Sequence, residues 1–282
     1  MNILVTNSSG RYSRLALNFL QQLAPEANLF CLIQDEKDAV SLEARGINVR
    51  VADYFNKASL IRGLKDIDRV LLVSLPTPGI QQNFIEAANM AGVKFIAYTS
   101  LAGLKFDRMG FQVDHQATED MISASKIDHT YLRNGWYLEN CQPYLKTAVK
   151  TGKFWYVADQ GTVSFALRRE FAEAGARLIL QEQPKRHITL TRWAYSYPEI
   201  GQALALACQK DLEIKAVDAD TFITYLTQAG VPSKHAYKEL TFQQYVKAGH
   251  NGEELSDQRV LEDVLGRKLE PFAEIVKEVI RN

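Results

Sequence analysis

Only three cysteines, Cys31, Cys141 and Cys208, occur in 282 residues, far apart and with no C-x-x-C pair. That spacing excludes a zinc framework or a disulfide scaffold and fits reduced, buried, small apolar side chains in a cytoplasmic protein. No run of 18 apolar residues is present, and the chain enters a strand at once with no basic leader. Neither membrane insertion nor secretion is therefore expected. An excess of one charge is also missing: 33 Lys and Arg balance 33 Asp and Glu. A zero total gives no general attraction to nucleic acid, which usually needs a basic face, so no direct nucleic-acid partner is expected. There is no H-E-x-x-H, no G-x-S-x-G elbow and no Walker loop, and no metal site is expected. Linkers, low-complexity tracts and internal repeats are absent too.

What is present is a soluble composition, 46% hydrophobic and 23% charged, with length enough for one large or two smaller domains. Short apolar strands alternate with helices of about ten residues. Strands are expected at 2–6, Leu29–Ile33, Ile47–Val51, Arg69–Val73, Val93–Tyr98 and His129–Leu132. Between them lie helices over Glu36–Arg45, Lys57–Leu64, Gln81–Ala91 (with Gly92 as a left-handed cap) and Asp114–Ser125. This rhythm specifies an α/β fold, a Rossmann-like doubly wound parallel sheet whose strand ends carry the ligand.

The first strand runs into Asn7-Ser8-Ser9-Gly10-Arg11-Tyr12-Ser13, followed by Leu15, Ala16, Phe19, Leu20 and Leu23 at helical spacing. A strand, a tight turn and a helix form the corner where a dinucleotide pyrophosphate sits on free N–H groups. Of the three glycines usual in short-chain dehydrogenases, G-x-x-G-x-x-G, only Gly10 remains, with Asn7 and Ser13 at the outer positions. Asn tolerates a positive φ, and the small Ser13 allows close helix–strand packing with a slight shift. A plain strand-to-helix turn without a ligand is the alternative reading of the same residues.

Past about Thr151-Gly152 the rhythm changes. Residues 1–152 read as the dinucleotide-binding unit. Residues 153–282 read as a smaller mixed part over the sheet edge, with a cleft between the two as the default substrate site. That boundary is approximate, and the chain can cross back. Ser196-Tyr197-Pro198-Glu199 has the pattern of a capping box opening a helix. The aromatics Phe222, Tyr225, Tyr237, Phe242 and Tyr245 are expected mainly in the core.

The run Arg133-Asn134-Gly135-Trp136-Tyr137-Leu138-Glu139-Asn140 resembles the R-N-G-W-Y-x-E-N signature of the NmrA-like family, atypical short-chain dehydrogenase/reductases. Ala44–Tyr54 is similar to the family's A-R-G-V-x-V-x-x-x-D-Y, and Ala97-Tyr98-Thr99-Ser100 to its Y-T-S strand end. His115–Glu119 resembles its H-x-x-T-E helix start, and Leu265-Gly266-Arg267 its C-terminal L-G-R. The nearest branch in pattern is that of the bacterial NAD(P)H:quinone oxidoreductases.

The resemblance implies NAD(P)H as cofactor. It implies a binding site drawn from Thr6, Asn7, Ser9, Gly10, Arg11, Tyr12, Gln34, Asp53, Ser74, Gly135, Trp136, Tyr137, Asn140 and Arg168. Asp53 is placed where a family carboxylate meets the adenine amino group, or else it is a turn residue capping the next helix. Gln34 and Asp35 stand at the ribose end, where a 2′-phosphate would want an arginine. Lys37 is close enough to soften that argument, so NAD and NADP stay open. Arg168 aligns with a cleft-facing family arginine or lies on the surface.

The Tyr-x-x-x-Lys pair of orthodox short-chain dehydrogenases is missing; the corresponding helix carries His115 and Glu119 instead. His115 is a candidate proton donor or a helix-start hydrogen-bonding residue. Quinones accept hydride readily and can take their protons from solvent, which shifts the demand to stacking by Tyr137 or Trp136. Two functions follow as expectations. One is an NAD(P)H-dependent oxidoreductase acting on a quinone or similar small acceptor, with His115 and Tyr137 as catalytic candidates. The other is a dinucleotide-binding redox sensor that acts on a protein partner without turnover.

Overall fold

The computed structural model describes residues 1–7, 10–35, 37, 39–75 and 79–282. In chain order the first half gives β1 (Asn2–Val5), α1 (Arg11–Leu23), β2 (Asn28–Ile33), α2 (Ala39–Glu43), β3 (Asn48–Val51), α3 (Lys57–Gly63), β4 (Arg69–Leu72), α4 (Ile80–Ala91), β5 (Phe95–Leu101), α5 (Phe111–Ala124) and β6 (Asp128–Asn134). All six expected strands are present within a few residues, and Gly92 caps α4 at φ 78°. The second helix is shorter than expected, and its expected start at Glu36 lies outside the described residues. Every residue of β5 is buried, which requires helices on both faces of the sheet.

The second half supplies β7 (Trp136–Tyr137), α6 (Gln142–Thr151), β8 (Lys153–Tyr156), β9 (Thr162–Val163), β10 (Phe165–Ala166), α7 (Arg168–Leu180), β11 (His187–Leu190), β12 (Tyr195–Ser196), α8 (Tyr197–Cys208), β13 (Glu213–Ala216), α9 (Ala219–Gln228), α10 (Ser233–Ala248), α11 (Gln258–Leu265) and α12 (Phe272–Arg281). The principal sheet has seven parallel strands in the order β11-β6-β5-β4-β1-β2-β3. Its order reverses between β1 and β4, and in such sheets the ligand crevice lies at the carboxyl ends of the strands flanking that point.

The chain crosses back over position 152: β11 pairs with β6 in register His187↔Tyr131 to Leu190↔Asn134. Helix α7 covers α1, and the two meet so closely that a Cβ at Gly175 would stand 2.5 Å from the Tyr12 hydroxyl. That contact sets the buried face of α1 as Tyr12, Ser13, Ala16, Leu17 and Leu20, while Leu23 is left exposed. The capping box at Ser196 forms as its spacing requires, with Glu199 Oε2 accepting from the Ser196 backbone N–H at 2.7 Å. Phe222 and Tyr225 are buried and Phe242 and Tyr245 partly so, whereas Tyr237 is 57% exposed. No helix among the described residues is long and apolar enough to cross a membrane.

Candidate active site and cofactor corner

The end of β1 is held to β4 by Thr6, whose hydroxyl oxygen accepts from the Val73 N–H at 2.9 Å. Asn7 has φ 52°, the left-handed turn that its position in the motif calls for, and its carbonyl accepts from Gly10 N–H at 2.9 Å. Ser9 lies outside the described residues. Gly10 sits at φ −73°, so it is not there for a positive φ. A Cβ would instead press on the Asn7 carbonyl oxygen at 3.1 Å and its Nδ2 at 3.2 Å. Among the described residues no side chain caps α1 and no acid stands in its first turn, so its first N–H groups suit a phosphate. Arg11 is the exposed first residue of that helix. Tyr12 turns the other way, buried, with its hydroxyl donating to the Phe171 carbonyl at 2.9 Å.

Ser13 is more than a tolerated substitute for glycine. Its hydroxyl donates to the Thr6 carbonyl at 2.8 Å in a fully buried position, so it ties α1 to the end of β1. Ser13→Gly is therefore expected to lower stability by about 1 kcal/mol through the lost hydrogen bond, measurable as a lower urea midpoint at unchanged slope.

At the outer strand ends Gln34 is exposed, and Asp35 pairs with Lys37 at 2.5 Å. Asp53 is exposed and closes an Asx turn by accepting from Phe55 N–H at 2.9 Å. The cap of α3 is Asn56, whose side chain accepts from Ser59 N–H. Both Gln34 and Asp53 lie apart from the principal cavity, as do Asn7, Gly10 and Arg11.

That cavity, about 910 Å³, opens at the carboxyl ends of β4, β5 and β6 and extends under α10. Its walls bring together Ser74, His115, Gly135, Trp136, Tyr137 and Asn140 of the sequence-derived set. Ser74 receives a hydrogen bond on its hydroxyl from Thr99, while its N–H donates to Thr99 Oγ1 at 2.8 Å. Gly135 donates its N–H to the Leu190 carbonyl, so β11 fixes the start of the signature run. Trp136 commits its indole N–H to Glu253 Oε1 at 2.8 Å and presents its ring, edge-on to Phe242 and Tyr245. Tyr137 pairs in β7 with Ala166 of β10, its ring edge-on to Phe171 at 5.5 Å. The Arg168 guanidinium lies 4.8 Å from the Tyr137 ring centre and 3.5 Å from the exposed Asn140 amide oxygen. Burial pushes the Tyr137 phenol up to about 12, although Arg168 pulls the other way.

His115 accepts or donates at Nδ1 to the Tyr98 hydroxyl at 2.8 Å. Burial lowers its pKa, against the opposing pull of Glu119 and Asp114, so it is neutral at pH 7. Glu119, its partner in the motif, is buried and clamped by Arg133 at 2.6 Å and by the Ser100 hydroxyl at 2.6 Å. It braces α5 on the sheet and leaves His115 to Tyr98.

Residues absent from the sequence-derived set complete the wall. Asn134 is buried, and among the described residues neither atom of its side-chain amide makes a hydrogen bond of good geometry. It lies among the Tyr12 and Tyr137 phenols, and its position in the R-N-G run was the available signal. Its amide fits the polar edge of a bound cofactor ring, as the start of α1 fits its phosphates. Phe165, Phe242, Cys141, Tyr144, His235, Lys238 and Glu239 close the far side; no local pattern marks them, because they meet only through the packing of α10 on the sheet unit.

Residues 8–164, more than half of the chain, match the family model described as NAD(P)H-binding. Quinone oxidoreductase 2 of Escherichia coli is 29% identical, with 98% of each chain covered. Its crystal structure superposes with a TM-score of 0.85 over 98% of this chain and 99% of that one, at 28% identity. The triphenylmethane reductase of Citrobacter sp. gives a TM-score of 0.89 at 25% identity, with both chains fully covered. An NmrA-like family domain-containing oxidoreductase of Aspergillus flavus is 26% identical over 99% of this chain and 95% of its own. With the left-handed Asn7 turn, the α1 start after Gly10 and the R-N-G-W-Y-x-E-N wall all in place, the chain belongs to the NAD(P)H-binding, NmrA-like family of oxidoreductases.

Proposed function

We propose that this chain is an NAD(P)H-dependent oxidoreductase that reduces a quinone or a similar flat small acceptor, in the cytoplasm. The carrying observation is the 910 Å³ cavity at the carboxyl ends of β4 to β6, with aromatic and apolar walls and the buried Asn134 amide among them. Two of the relatives covered over nearly their whole length are, by name, a quinone oxidoreductase and a triphenylmethane reductase, which supports the same reading. A nicotinamide bound here would supply the two electrons, as a hydride. The turn at Asn7 and Gly10 and the start of α1 hold the pyrophosphate. Gly135, Asn134 and the Tyr137 ring hold the cofactor head. Trp136 and Phe242 keep a flat acceptor in the dry part of the cavity, where proximity and orientation carry most of the rate. His115, neutral and bonded to Tyr98, orients without being required as an acid. With Gln34 exposed and Asp35 already paired to Lys37, neither nicotinamide cofactor is strongly preferred.

The test is a titration of pure protein with NADH and with NADPH, followed by addition of a simple quinone while the absorbance of the reduced nicotinamide is recorded. Saturable binding and quinone-dependent loss of that absorbance are expected. Tight binding without turnover on any quinone would transfer the assignment to a dinucleotide-binding regulator, and a protein partner would then be sought by pull-down with and without cofactor.

A further inference from the structure

The far end of the cavity holds a carboxyl group that has no part in the hydride step. Glu239 stands on α10, is more than nine-tenths buried and lines the cavity. Its Oε1 accepts from Gln243 Nε2 at 2.9 Å and from the Tyr197 hydroxyl at 3.4 Å. Gln243 is itself fixed by Val157 N–H at 2.7 Å, so the carboxyl is held in place from behind. No hydrogen bond from the described residues reaches Oε2, the atom left for whatever enters the cavity.

The surroundings favour a proton on that group. On its own helix stand Lys238, whose charge favours the ionised form, and the exposed His235; α8 presents Tyr197, and the α6 side presents Cys141 and Tyr144. From α9 the cavity wall takes Leu226, with Val231 just after the helix, and the Tyr225 phenol of α9 lies near Tyr144. Burial dominates and pushes the Glu239 carboxyl up to about 7. At neutral pH it therefore exists in both forms, the condition under which a side chain works best as a general acid.

Resting on the quinone reading above, we propose that Glu239 is a catalytic residue, the proton donor to the acceptor oxygen farthest from the cofactor. When two electrons and a hydrogen enter a quinone at one end, negative charge develops on the opposite oxygen, here inside an apolar cavity where that charge is poorly solvated. The Glu239 O–H bond breaks as the new O–H bond of the hydroquinone forms, leaving a carboxylate that solvent reprotonates through the open mouth. The acceptor is thus of the class with two conjugated carbonyl oxygens at opposite ends of a flat ring system. A reducible group with nothing at the far end gains nothing from this residue.

The test is the pH dependence of kcat/KM for a para-quinone at saturating NAD(P)H, in the parent and in Glu239→Gln, which keeps an acceptor for Gln243 and cannot give up a proton. For the parent a loss of about tenfold from pH 6 to pH 8 is expected, as a group titrating at about 7 loses its proton. Glu239→Gln is expected to be flat over that range and about 10²-fold below the parent at pH 6, the size of a lost general acid. NADPH affinity should be the same in both and flat with pH. A parent limb that survives in Glu239→Gln, or a parent profile without one, overturns the role of Glu239 while leaving the quinone reductase standing. Cofactor binding with no quinone turnover in the parent at any pH removes both.

Discussion

Arg108→Met is expected to destabilise the protein by about 3–5 kcal/mol, the cost of leaving a buried carboxylate without its cation. Arg108 and Glu253 are each 2% exposed and meet at 2.6 Å. The same guanidinium donates to the Asn251 carbonyl at 2.7 Å and lies 4.8 Å from the Trp136 ring centre. Glu253 in turn accepts from the Trp136 indole N–H at 2.8 Å and from the Ser164 N–H at 2.7 Å. One ion pair thus joins the segment after β5, the turn before α11 and the strand pair β7–β10 behind the aromatic wall of the cavity. Methionine keeps most of the aliphatic volume, so the loss reports the charge and not a void. Guanidinium-induced unfolding of Arg108→Met, Glu253→Gln and the double variant forms the check. The double variant should recover part of the loss, because a neutral amide in place of the carboxylate no longer needs a cation and still offers an oxygen to Trp136. Additive losses in the double variant would show that the pair is not coupled and that Arg108 acts through packing on Trp136 alone.

The fold was legible where the signal is local. Each of the first six strands carries its own apolar run, and Asn7 could be assigned a left-handed turn because few other non-glycine residues adopt it. The strand β11 was not legible: His187–Leu190 alternates exposed and buried over four residues, and its partner β6 lies more than fifty residues earlier. Helix α7 hides for the opposite reason. It is buried nearly all round, from Glu170 to Ile179, so it shows no polar face to mark its period. The site divides in the same way. The Trp136–Tyr137 wall is one contiguous run and could be named from its motif, whereas Glu239 is an ordinary helix glutamate until packing removes its water. Tyr12 illustrates the limit of motif position: the motif marks it as a residue of the corner, and the structure spends its hydroxyl on α7.

Tyr137→Ala is expected to lower kcat/KM for a quinone by about 10²-fold, the scale of a reacting group misplaced by an ångström or so, while His115→Gln stays within about tenfold of the parent, below the 10²–10⁴-fold of a lost general acid. The Tyr137 ring is fixed on three sides: by the β7–β10 pairing of its backbone, by Phe171 edge-on and by the Arg168 guanidinium. Its phenol is held at about 12 by burial, so it stays neutral across the working range and cannot serve as a base near neutral pH. Removing the ring opens the wall where the cofactor head and acceptor must stack, and frees Arg168 to move. Tyr137→Phe separates ring from hydroxyl and should remain close to the parent. His115 is the contrasting case. Its Nδ1 is engaged with Tyr98, whose own hydroxyl is pushed up by burial, and its imidazole is held neutral, so at pH 7 it carries one weakly acidic ring N–H and lacks the acidic proton of an imidazolium. Glutamine can still meet the Tyr98 hydroxyl, which keeps α5 seated on β5. Steady-state rates for the three variants, with NADPH affinity measured separately by fluorescence, decide the matter. A loss of about 10²-fold or more in His115→Gln at unchanged affinity would make the histidine the acid, and an equal loss in Tyr137→Phe would shift the role of Tyr137 from stacking to its hydroxyl.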